Sequence, residues 1–269
     1  IHKAINPDLY RGPYKYGDAN AGEKYAADVQ RIIEDLQKED KAPAVFICET
    51  LLGVGGQIPL PKNYLKTAYD YVRAAGGVCI ADEVQVGFGR VGDTFWGFEL
   101  QDVVPDIVVL GKPIGNGHPL AAVIVTEEIA NAFNNGMEYF NTFGGNPVSM
   151  TTGIAVLDVI QQEEMQQHAL EVGNHLMDGL KALMSKYPII SDVRGHGLFI
   201  GAEMVKDRIT MEPAVTEIDI VVEKMKEKGY LLSTDGPLHN VLKIKPPMTF
   251  NKQNADEMVR LLAIALSEL

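Results

Sequence analysis

Two short apolar runs each end on a side chain capable of chemistry. Residues 78–81 (VCIA) lead straight into Asp82-Glu83-Val84-Gln85, and residues 107–110 (IVVL) lead into Gly111-Lys112-Pro113. In open parallel α/β sheets the carboxyl ends of the strands line the ligand crevice, so an acid and an amine that follow neighbouring strands face one shared site. Their separation of 30 residues fits two such elements joined by a crossover. A carboxylate and a lysine amine placed this way suit chemistry around pyridoxal phosphate. The amine forms the internal Schiff base, and a buried acid keeps the pyridine nitrogen protonated so that the ring draws electrons. A plain Asp82–Lys112 ion pair at a solvated strand end has the same spacing.

The elements that must position these residues are legible as apolar patterns. The runs at 44–48 (AVFIC), 78–81, 107–110 and 121–125 (AAVIV) are continuous and not alternating. They predict an α/β core, a mostly parallel sheet with helices on both faces. Tyr25, Val29, Ile32, Ile33 and Leu36 recur at helical spacing and predict an amphipathic helix, with another near 64–75. Asn146-Pro147 is a helix start, and the residues after it (VSMTTGIAVLDVI, 148–160) are apolar nearly all round, which predicts a buried helix. After Tyr187-Pro188 the pattern changes to strands at 189–193 and 198–205, a helix at 216–228, a strand at 241–244 and a closing helix at 256–269. The expected division is a large domain over 1–187 and a smaller C-terminal α+β domain over 188–269.

Composition excludes several function classes. With 24 Lys+Arg against 36 Asp+Glu the 269-residue chain carries a net charge of −12 and has no dense basic block, so nucleic acid is not an expected partner. No apolar run reaches the roughly 18 residues of a membrane helix, so no membrane partner is expected. Cys48 and Cys79 lie inside apolar runs and read as free thiols of a reducing compartment. The six histidines lack metal-ligand spacing, and no metal site is expected. Gly195-His196-Gly197 misses the dinucleotide fingerprint, and no phosphate-binding Gly-Lys-Ser/Thr loop occurs. The first residue is Ile1 and residues 1–16 have neither signal-peptide nor transit-peptide character, so the chain reads as cytoplasmic and as a piece of something longer.

Four motifs, in order along the chain, carry a resemblance. IADEVQVGFGR at 80–90, GKPIGNGHP at 111–119, NTFGGNP at 141–147 and VRGHGL at 193–198 together resemble the class III (omega) aminotransferases of pyridoxal-phosphate fold type I. The resemblance implies that Lys112 is the Schiff-base lysine and Asp82 the partner of the pyridinium nitrogen. It implies that Val84 packs on the ring and that Gln85 hydrogen-bonds the ring hydroxyl. Thr142 would bind the phosphate of the cofactor in a neighbouring subunit, which implies a homodimer with shared active sites. Arg194 stands where relatives commonly hold a substrate carboxylate, and Glu49 would face that arginine when no carboxylate is bound. Many relatives have Glu-Pro where this chain has Glu49-Thr50. Family members also carry a long stretch before the position of Ile1, including small residues that cup the cofactor phosphate and an aromatic that stacks on the ring. That N-terminal part of the fold is absent from this sequence.

The resemblance implies a transaminase moving an amino group between an amine or amino acid and an oxo acid. Gly111-Lys112-Pro113, Val86 and VLKIKPPM at 241–248 look most like the branch of the ethanolamine-phosphate and phosphohydroxylysine phospho-lyases, which implies phosphate elimination from an O-phosphorylated amine as the alternative. A catalytically incomplete fragment that keeps the fold is the third reading.

Overall fold

The computed structural model describes residues 1–269. Helix α1 (Ala21–Gln37) precedes strands β1 (Val45–Glu49), β2 (Leu51–Leu52) and β3 (Ile58–Pro59). Helix α2 (Tyr64–Ala74) follows, then β4 (Val78–Asp82), β5 (Ile107–Leu110) and β6 (Ala122–Val125). Next come helices α3 (Glu127–Phe133), α4 (Pro147–Gln162) and α5 (Met165–Lys186). The chain closes with β7 (Ile190–His196), β8 (Phe199–Asp207), β9 (Glu212–Pro213), α6 (Val215–Glu227), β10 (Ser233–Asp235), β11 (Val241–Ile244) and α7 (Lys252–Ser267).

These elements form two units. The first, Ile1–Thr50 with Leu60–Phe88 and Trp96–Glu164, is built on a sheet of order β1-β4-β5-β6. The first three strands are parallel, and β6 pairs antiparallel with β5. The apolar stripe Tyr25, Val29 and Ile33 of α1 packs along α2, which in turn lies on β1 and β4. Phe46 meets the Tyr69 ring edge-on at 6.2 Å, and Cys79 and Ala81 on the same face are fully buried.

The expected α/β arrangement is present, a mostly parallel sheet with α1 and α2 layered on the Phe46 face. Strand residues alternate between faces, and the side opposite Phe46 carries Ile47 and Val123, which stay 57% and 63% exposed. Helix α4 differs from the expectation of a buried helix. Its apolar residues do surround the axis, but only Ser149 and Gly153 are buried, while Val148 and Ile154 are 69% and 59% exposed.

The second unit comprises Leu51–Pro59, Gly89–Phe95 and Met165–Leu269. Its sheet has the order β10-β11-β8-β7, all antiparallel, with β9 added beside β8. The boundary therefore falls after Glu164 and not after Tyr187. The reason lies in α5, whose Leu176, Leu180 and Leu183 complete a core with Ile190, Ile200, Met204, Ile218 and Leu262. Leu176 is wholly buried there, so Leu176→Ala is expected to lower stability by about 2–5 kcal/mol through lost transfer energy and a residual cavity. Urea unfolding measures this, and a change below about 0.5 kcal/mol, the size of a surface substitution, would contradict the packing.

Candidate active site

The carboxyl ends of three adjacent parallel strands meet at one edge of the first unit. Glu49 ends β1 opposite Asp82, which ends β4, and Asp82 lies opposite Val109 of β5. Lys112 comes two residues after the end of β5. The chain thus brings Glu49, Asp82 and Lys112 to neighbouring strand ends.

Asp82 is half-buried on the open face of the sheet, and its Oδ1 accepts the Val84 N–H at 3.0 Å. That short turn holds the carboxylate at the strand end and sends the chain on through Val84 and Gln85, both half-buried. A side chain at Gly111 would place its Cβ 3.4 Å from Val84 Cγ1, so Val84 lies over the backbone that leads into Lys112. Lys112 itself has a φ of 39°, a left-handed conformation that disfavours residues with a Cβ by about 1–2 kcal/mol. Its side chain is exposed, and its amine has neither a hydrogen bond nor an ion pair. The alternative of a plain Asp82–Lys112 ion pair is therefore absent from the structure.

The loop after Lys112 is tied down by a contact that sequence reading passed over. His118 places Nε2 2.8 Å from Ser149 Oγ. Asn146 Nδ2 donates to the same oxygen at 2.9 Å, and Asn146 Oδ1 caps α4 by accepting the Ser149 N–H at 3.0 Å. Thr142 sits on an exposed turn that Asn141 stabilises by accepting the N–H groups of Phe143 and Gly144. Its hydroxyl has no partner within the chain.

Glu83 is the second residue that sequence reading missed. It is fully buried, and burial pushes its carboxyl above the usual range against the pull of hydrogen bonds from Gly97, Thr50 and Phe98. Cys48 and Cys79 are no candidates for a nucleophile, because burial pushes each thiol up to about 12.

Arg194 belongs to the second unit and departs from the expectation of a ligand-facing arginine. Its Nη1 donates to Asp192 Oδ2 and Glu203 Oε2, both at 2.7 Å, while Nε and Nη2 donate to the Gly56 carbonyl at 3.0 and 2.7 Å. Only 5% of the residue is exposed. Burial alone would lower its pKa, but Glu203 and Asp192 outweigh burial and raise it. A guanidinium whose three nitrogens all donate in this way fastens the Gly56 turn to β7 and β8.

The donor set fits the ring end of pyridoxal phosphate. A carboxylate and an unpaired lysine amine lie at adjacent strand ends, and Val84 stands over a residue without a side chain. Phosphate donors are sparse by comparison, with the Thr142 hydroxyl as the single one named by the motifs.

Comparison with known proteins places the chain in a family. The family described as aminotransferase class-III matches residues 2–266, and the chain belongs to that family. An alanine–glyoxylate aminotransferase 2-like protein of Drosophila melanogaster is 49% identical over 96% of this chain and 53% of its own length. A phospholyase from Arthrobacter, solved in complex with phosphoethanolamine, superposes with a TM-score of 0.93 at 36% identity, covering 100% of this chain and 64% of that one. An amine transaminase from an uncultivated Pseudomonas species, solved in its PLP-bound form, gives a TM-score of 0.89 at 30% identity over 98% of this chain and 61% of that one. The chain spans little more than half the length of the curated relative, 53%. No helix is long and apolar enough to cross a membrane.

Proposed function

We propose that the full-length protein is a pyridoxal-phosphate-dependent aminotransferase, moving an amino group between an amine or amino acid and an oxo acid. The observation that carries this reading is the pairing of Asp82 with an unpartnered Lys112 amine at the ends of adjacent parallel strands. When bound, pyridoxal phosphate supplies an electron sink for the carbon next to the substrate nitrogen. Lys112 would hold the cofactor through its amine, and that amine, once the substrate amine has displaced it, would carry the proton of that carbon. Asp82 keeps the ring nitrogen protonated, Val84 packs on the ring face, and Gln85 donates to the ring hydroxyl. Thr142, unpartnered on its exposed turn, donates to the phosphate held by a second copy of the chain, which makes the working unit a homodimer. Arg194 is assigned the fastening of the Gly56 turn, because each nitrogen of its guanidinium already donates. Glu49 lies beside Asp82 in the sheet and faces the substrate side of the site.

The second reading, phosphate elimination from an O-phosphorylated amine, is favoured by the likeness to the Arthrobacter phospholyase. Both reactions begin with the same proton removal, so one assay separates them. Full-length protein is given phosphoethanolamine without an oxo acid, and inorganic phosphate is measured. In parallel, amino transfer to an oxo acid is followed with amine and amino-acid donors. Transfer without phosphate release is the expected result. Phosphate release that needs no oxo acid selects elimination, and neither activity in the cofactor-loaded full-length protein would sink both readings.

A further inference from the structure

Glu83 uses every polar group it has at the place where the strand ends meet. Its backbone N–H donates to Val109 of β5 at 3.0 Å, and its carbonyl accepts the N–H groups of Val86 and Gly87 in the turn that follows. The side-chain carboxylate accepts Thr50 Oγ1–H and the Phe98 N–H on Oε1, and the Gly97 N–H on Oε2, each at 2.9 Å. Thr50 directly follows Glu49, so the Thr50–Glu83 bond extends the β1–β4 ladder one residue past the Glu49–Asp82 pair. One residue therefore joins the ends of β1, β4 and β5 to the 97–98 turn. Alternation along the strand sends the Glu83 side chain to the opposite side of the sheet from Asp82, into the packed interior.

We propose that Glu83, with Thr50 as its donor, is a positioning residue: a buried carboxylate clamp that sets where Asp82, Val84 and Gln85 stand, without touching the ring. The inference rests on the function proposed above for Asp82, but the clamp itself is measurable apart from it. Space around the clamp is tight. A Cβ on Gly97 would lie 2.4 Å from both Thr50 Oγ1 and Val86 Cγ1, and one on Gly87 would lie 3.0 Å from the Trp96 ring. The chemistry is also specific to a carboxylate, because donors meet both of its oxygens. A glutamine here must turn its NH2 toward the Phe98 N–H in one orientation or the Gly97 N–H in the other.

Trp96, the one tryptophan of these 269 residues, reports on the clamp. Trp96 immediately precedes the two N–H donors, stacks on Phe98 at 6.3 Å and meets Phe88 edge-on at 5.4 Å. Three variants of the full-length protein form the test: Thr50→Val, which keeps the shape and removes the hydroxyl, Thr50→Ser, which restores it, and Glu83→Gln. Trp96 emission, taken as the difference from the same protein carrying Trp96→Phe, is recorded without cofactor. The pH midpoint of the visible absorbance change, KM and kcat are recorded with it. Thr50→Val is expected to shift Trp96 emission, to displace the absorbance midpoint, and to lower kcat by about 10-fold to 100-fold with KM within about twofold, as a slightly misplaced acid requires. Thr50→Ser is expected to return all of these to the parent values. Glu83→Gln is expected to go further in the same direction, and if it does not fold the threonine pair still decides. Unchanged Trp96 emission in Thr50→Val overturns the clamp. A shifted emission with an unmoved absorbance midpoint and kcat overturns its link to Asp82. A parent protein that binds no cofactor sinks the proposed function instead, and the emission data still judge the clamp.

Discussion

Replacing Lys112 by alanine is expected to lower turnover of the full-length protein by a factor of about 10,000 or more, since the amine serves both as covalent anchor and as proton carrier. The Lys112 side chain is exposed and its amine has no ionic partner, so no other group of the chain competes for it. The left-handed backbone at 112 marks the same position independently, because that conformation persists only where surrounding structure holds it. Lys112→Arg keeps the charge and the length but offers no amine that can form the covalent link, so it is expected to be equally inactive. Borohydride reduction of the loaded protein followed by peptide mapping gives the direct check. A label on any other lysine rejects the assignment, as does near-parent turnover in either variant.

Asp82→Asn is expected to slow turnover by about 100-fold to 1,000-fold, the range seen when one preorganised electrostatic group is removed from an active site. The fold should survive, because an asparagine oxygen can still accept the Val84 N–H that Asp82 Oδ1 accepts at 3.0 Å. What is lost is the negative charge beside the ring nitrogen, and with it the preference for the protonated ring. The loss should therefore fall on kcat, with KM changed far less. Steady-state kinetics in the variant decide the matter: turnover within a few-fold of the parent removes Asp82 from the mechanism.

How far the sequence could be read depends on the kind of signal each residue carries. Asp82 and Lys112 were legible because an apolar run followed at once by charge locates a strand end from local pattern alone. Arg194 was misleading for a different reason: its partner Glu203 comes from β8 across the β7–β8 ladder and Gly56 from a distant turn, and neither pairing can be read without the register. Helix α4 shows that an apolar surface on all sides predicts a need for burial but not what supplies it. The direction of β6 did leave a signal. Only residues 111–121 separate β5 from β6, too few for the helical crossover that a parallel neighbour usually needs, and β6 runs antiparallel. Glu83 left one as well, since two acids in succession at the end of a half-covered strand must face opposite ways, and one of them is then buried.

Residues 51–59 and 89–95 count with the second unit although the chain on either side of each counts with the first, so the backbone passes from one unit to the other five times. A chain threaded in this way has no single peptide bond at which it separates into independent pieces. Expressed alone, residues 165–269 would lack the Gly56 carbonyl that two nitrogens of Arg194 occupy, and the Arg90 carbonyl that accepts the Leu198 N–H. A buried guanidinium edge left bare in that fragment costs about 1–3 kcal/mol or more, a large share of the stability of a piece that size. Protease nicking between Glu164 and Met165 should accordingly leave two chains that stay associated, whereas residues 165–269 expressed alone should fail to reach their native state.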